Sequence, residues 1–192
     1  MRKAIILFII LSVSSYALIR FDISNKISSF LKTFDKVHKE YYDNGKLKSE
    51  YTVSMGVVDG IVKTYYPGGQ LKQTLMYEGG KEHGKIESFY KTSELLYEGT
   101  FSNGMQEGMA REFYKDEQIK AIWKYANNKK NGEYRFYYSN GALFTKGTYE
   151  NGLLENTTEE YYDTGEILNI IKYKKNKIID KITYNKDGSM KF

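Results

Sequence analysis

Apolar and polar residues alternate with a period of two over most of this chain. Leu71, Leu75 and Tyr77 fall on one side of the alternation, and Lys72 and Thr74 on the other. Ile119, Trp123 and Tyr125 repeat the pattern against Lys120 and Lys124. Such alternation predicts a half-buried β-strand, because successive side chains on a strand point to opposite faces. A second, shorter strand is predicted to end in an aromatic pair, as in Ile86 to Tyr90. One ring of each adjacent pair is expected in the core and the other partly exposed.

The alternation is punctuated in a fixed register. A tyrosine recurs every 24 residues, at Tyr42, Tyr66, Tyr90, Tyr114, Tyr138 and Tyr162, with another aromatic before each. An aliphatic column follows at Leu47, Leu71, Leu95, Ile119, Leu143 and Ile167. Two glycine columns read Gly56, Gly80, Gly104, Asn128, Gly152, Asn176, and Gly60, Gly84, Gly108, Gly132, Asn156, Asp180. Where glycine is replaced, the substitute is Asn or Asp, the residues that best tolerate positive φ. Both columns are therefore read as backbone turns. A third turn sits at Asn44-Gly45, Gly68-Gly69, Asn140-Gly141 and Thr164-Gly165, a hairpin signal. Ser93 and Glu117 interrupt that column, which predicts a different turn in copies three and four.

Two strands cannot bury an apolar face alone, so the copies must stack. Six copies and a partial seventh, Tyr184 to Phe192, predict about a dozen strands and a rod roughly 60 Å long at about 4.8 Å per strand. The fold class is all-β: stacked hairpins forming an elongated, twisted antiparallel sheet, with a short N-terminal helix. That helix follows from Ile23, Ile27, Phe30, Phe34 and Val37, spaced by four and three, with Ser24 as N-cap. It is read as a cap on the open sheet; a membrane-surface helix is the alternative.

The stretch Tyr65-Tyr66-Pro67-Gly68-Gly69-Gln70-Leu71, followed by Tyr77-Glu78-Gly79-Gly80-Lys81-Glu82-His83-Gly84, resembles the MORN repeat, the membrane occupation and recognition nexus. It is most similar to the bacterial variant found in many proteins described as antitoxin-like. The likeness covers about residues 39 to 192. It implies a stack of hairpins that serves protein interaction, membrane-surface attachment, or scaffolding beside a catalytic domain. Ser93, Glu117, Asn128, Asn156, Asn176 and Asp180 depart from the glycine pattern and predict irregular turns there.

Composition adds an address. Arg2 and Lys3 precede the apolar run Ala4 to Val13, and Ser15-Tyr16-Ala17 follows, a pattern similar to a secretory signal with cleavage after Ala17. The run is shorter than the about 20 residues of a spanning helix, and an uncleaved anchor extended through Leu18 and Ile19 is the alternative. The domain reading is thus 1–17 signal, 18–38 capping helix and 39–192 repeats, exported to the envelope or beyond. Loss of Arg2 and Lys3 lowers the net charge from +5 to +3, too little for a nucleic-acid stripe. The chain has no cysteine, hence no disulfide framework or lipid-attachment thiol.

Candidate chemistry is sparse. His38 and His83 fall in unrelated slots, without the neighbours a metal site needs. Glu159 and Glu160 are adjacent and so diverge on a strand, unlike a hydrolytic pair. Asn156-Thr157-Thr158 fits a glycosylation acceptor but occupies a turn column. Gly79-Gly80-Lys81 lacks the following helix of a phosphate loop. The expectation is a non-enzyme without cofactor, metal or small-molecule substrate, which binds a protein partner. An anionic membrane surface and a glycan stacked on an aromatic ladder are the alternatives. The candidate surface is Trp123, which is equally read as filling a gap in its column, with the tyrosine column Tyr42, Tyr66, Tyr90, Tyr114, Tyr138 and Tyr162, a column read first as the core of a thin sheet.

Overall fold

The computed structural model describes residue 26 and residues 35–192. The signal segment and most of the expected capping helix lie outside the described residues. Val37, the last apolar residue of that helical spacing, lies in the strand Lys36–Tyr41, so the sheet starts ahead of the expected boundary at residue 39.

Sixteen strands make one antiparallel sheet, and residues 35–192 contain no helix. Fourteen strands lie side by side in chain order, and the two-residue strands Val57–Val58 and Lys129–Lys130 pair beside them. The order is a plain meander because every connection is too short to cross the sheet.

The margins carry two kinds of turn. At one margin each leading tyrosine closes a loop onto the residue four ahead, as in Tyr66 N–H to the Gln70 carbonyl at 2.8 Å. Ser93 and Glu117 make the same loop as the glycines, with φ of 82° and 65°. The expectation of a different turn is corrected: stacking against neighbouring loops holds the backbone left-handed although neither residue favours it. At the other margin lie two-residue turns with positive φ at both positions, such as Asn103 (50°) and Gly104 (82°). Such turns match the twist of the flanking strands.

The second glycine column is corrected too. Gly84, with φ of 79°, lies inside the strand Lys81–Phe89, where the register shifts between the pairs Leu75↔Ile86 and Tyr77↔Glu82. It marks a β-bulge, which needs the left-handed backbone as a turn does. The return strand is accordingly nine residues long and continues through the bulge. In copy six the shift is smaller, from Tyr173↔Ile178 to Lys172↔Asp180. Asp180 escapes positive φ, and the next loop closes on Asn185.

The core is one face of the sheet, not an interior between layers. Leu75, Ile86, Ala110, Ala121, Trp123, Tyr134 and Ile171 are buried there beside Ser49, Thr145, Thr158 and Asn169. The pairs Leu75↔Ile86, Ala110↔Trp123, Tyr134↔Gly147 and Thr158↔Ile171 place seven of them in one continuous row, and Ser49, Ala121, Thr145 and Asn169 lie in a second row on the same face. Sizes compensate across the row. Ala110 and Ala121 make room for Trp123. At Gly147 a Cβ would stand 2.6 Å from Thr158 Oγ1 and 2.7 Å from the Tyr134 hydroxyl, so those two side chains already fill its place. Neither ring of the aromatic pair is fully buried, contrary to expectation, because the pair flanks the marginal loop and not this row.

Candidate functional site

The structure separates the predicted surface residues. Trp123 is buried, at 7% exposure, with Ala110, Ala121 and Tyr134. Tyr97, Tyr125, Phe136, Tyr149 and Leu154 pack around it. The expectation of an exposed Trp123 is corrected: strand alternation puts it on the buried face, opposite Ala110. Lys130 arches over this cluster, its ammonium 4.5 Å from the Trp123 ring centroid and 5.4 Å from that of Tyr149. Burial lowers its pKa, and the facing rings are a compensating partner for the cation. Burial also pushes the Tyr97 phenol up to about 12.

The leading tyrosines are half-buried, and their hydroxyls are committed within the fold. Tyr42 donates to the Tyr65 carbonyl at 2.7 Å, Tyr66 to Phe89 at 2.8 Å and Tyr90 to Phe113 at 2.8 Å. Tyr114 donates to Tyr137 at 2.7 Å, Tyr138 to Tyr161 at 2.8 Å and Tyr162 to Tyr184 at 3.0 Å. Each bond joins one loop to the next. Lys91, Lys115, Lys120 and Lys186 lie over the rings of Tyr66, Tyr90, Tyr114 and Tyr162. A ring with its hydroxyl bonded and a face covered by lysine is poorly placed to stack on a polymer.

The opposite face is the open one. The residues paired beside the core row point to it: Ile61↔Met76 next to Val62↔Leu75, and Met109↔Lys124 next to Ala110↔Trp123. Ile61 is 55% and Met109 48% exposed. A charged row runs between them. Lys63 lies 3.5 Å from Glu50, Lys85 2.6 Å from Glu87 and Arg111 2.7 Å from Glu98. The Arg111 hydrogen bond is the chief cause holding the Glu98 carboxyl below its ordinary range, and the Tyr65 hydroxyl does the same for Glu50. Ile61, Lys63, Thr74, Met76, Lys85 and Glu87 rim an open hollow of about 370 Å³. Sequence alternation contained this row, since each member neighbours a core residue. The tyrosine register drew attention to another column.

Candidate chemical groups stay apart. His38 stacks on Tyr51 with centroids 5.3 Å apart, and His83 Nε2 lies 3.5 Å from Glu78. Glu159 meets Lys146 at 3.1 Å, while Glu160 accepts from Asn169 at 2.6 Å on the other face. No group of three or more His, Cys, Asp or Glu able to hold a metal occurs among the described residues.

No curated protein matches the chain. Among solved structures, a crystal structure of S. aureus TarM has a TM-score of 0.34 at 14% identity, covering 69% of this chain and 24% of that one. The GtfA/B complex bound to UDP and GlcNAc has a TM-score of 0.26 at 8% identity, covering 58% and 22%. The chain thus spans about a quarter of the length of those proteins, and likenesses this loose carry no argument about it. The family model described as MORN repeat variant matches residues 34–54, 58–78, 82–103 and 130–151. Those starts lie 24, 24 and 48 residues apart, the register of the hairpins themselves, so these four stretches of the chain match MORN-variant repeats.

Proposed function

We propose that the chain is an exported, non-catalytic scaffold whose open sheet face binds a protein partner. One observation carries this reading: Ile61, Met76 and Met109 are exposed among ion-paired Lys63, Lys85, Glu87, Glu98 and Arg111. Methionine and arginine beside aliphatic residues are the composition of interface cores, and methionine adapts its shape to a partner. The charged row sets orientation more than affinity, since exposed pairs contribute little each. The matches to the MORN repeat variant support a scaffold role.

Affinity capture from envelope extract of the native host, with the tagged chain and its M76K/M109K variant, tests the reading. A protein retained by the parent through a moderate salt wash and lost by the variant is the expected result. Equal recovery by both would remove the face from consideration. N-terminal sequencing of the secreted form checks export, with Leu18 expected first.

A further inference from the structure

The tip of the sixth hairpin reverses the charge of the rest of the sheet. Residues 35–171 hold 17 Lys and Arg against 21 Asp and Glu, a net of −4. Residues 172–181 hold Lys172, Lys174, Lys175, Lys177 and Lys181 against Asp180, a net of +4. All five lysines are exposed, and none forms an ion pair among the described residues. Glu155, on the preceding hairpin, accepts from the Lys175 backbone N–H at 2.9 Å.

The hairpin closes on a like-charge pair, Lys174 opposite Lys177. The equivalent pairs in the other five copies are Ser54↔Val57, Glu78↔Lys81, Ser102↔Met105, Ala126↔Lys129 and Glu150↔Leu153, none of like charge. Like charges directly opposite destabilise a sheet. Lys175 adds a left-handed backbone, φ 50°, which a long side chain disfavours. Beside these lysines Ile178 and Ile179 stand 56% and 55% exposed. Folding gains nothing from this arrangement.

We propose that the tip around Lys172, Lys174 and Lys177, with Ile178 and Ile179, docks an acidic polypeptide segment that carries apolar residues between its carboxylates. This rests on the scaffold reading and names the chemistry of a partner at a second surface. Unpaired ammonium groups supply the charge complement on one side of the hairpin end, and Ile178, opposite Tyr173 on its other side, takes with Ile179 the apolar residues of a segment that wraps the end. An extended anionic surface such as a bilayer fits less well. Glu150 and Glu155 stand at the tip of the adjacent hairpin, Glu155 directly against the Lys175 backbone, and a plane laid on the lysines would press against both carboxylates. A short peptide touches the tip alone.

The test is fluorescence anisotropy of the full chain with a short labelled peptide of alternating aspartate and leucine, read at two salt concentrations. Salt-sensitive binding is expected. K172E/K174E/K177E should weaken it by about tenfold or more, and the milder K174Q/K177Q by less. K72E/K124E/K191E, matched in charge change, should leave it intact. Circular dichroism of each variant checks folding. Unchanged binding by a folded tip variant overturns the proposal. So does capture of phosphatidylserine vesicles by the tip when the peptide does not bind. If affinity capture yields a partner still held by K172E/K174E/K177E, the scaffold reading stands and the tip falls. If capture yields none, the scaffold reading fails, and the peptide titration alone judges the tip.

Discussion

Tyr114 gives its hydroxyl hydrogen to the Tyr137 carbonyl, and five other leading tyrosines do likewise one repeat on. The most regular residue of the sequence is therefore a spacer between loops. Tyr114→Phe should lower stability by about 1 kcal/mol, since it leaves the Tyr137 carbonyl without this donor; urea unfolding reads the change. Trp123→Ala empties the central cluster and should cost about 3–5 kcal/mol, seen as a large drop in the urea midpoint. Tyr97 offers a pH test. Its phenol is neutral in the folded state to about 12, against an ordinary value near 10. The stability it contributes is fully present below pH 10 and is lost as pH rises toward 12. Tyr97→Phe should flatten that alkaline loss in thermal melts.

Elements show how far the sequence was legible. The 24-residue register and the period-two alternation defined the strands, because both report directly on which side chains face the same way. Glycine columns were ambiguous, because a turn and a bulge demand the same left-handed backbone: Gly80 closes a turn, whereas Gly84 kinks a strand. Ser93 and Glu117 misled for the opposite reason, since stacked loops impose a conformation their side chains resist. Relieving that strain should help. Glu117→Gly is expected to raise stability by up to about 1 kcal/mol, less the added entropy of the unfolded glycine, as a higher urea midpoint. Which of the two faces is open was the least legible feature. Alternation separates Trp123 from Ile122 and Lys124 but does not say which set meets solvent, and the structure puts Trp123 in the buried set.

At the scale of the molecule, one layer of sheet has no interior shared by distant strands. Each hairpin is held by its neighbours, so protection should vary along the rod. Hydrogen exchange should be slowest at Ala110, Trp123 and Tyr134, where the aromatic cluster is thickest, and faster in Lys177–Tyr184. Uniform protection from end to end would mean one cooperative unit in place of a chain of coupled ones.

The bonded tyrosines have a metrical consequence. They fix the advance from loop to loop at two strand spacings, roughly 10 Å. Duplication or loss of one 24-residue unit would lengthen or shorten the sheet by that step and leave every other loop in phase. Anything lying across the strands meets a graduated scale, and a binder that spans several hairpins must carry its own features at the same interval.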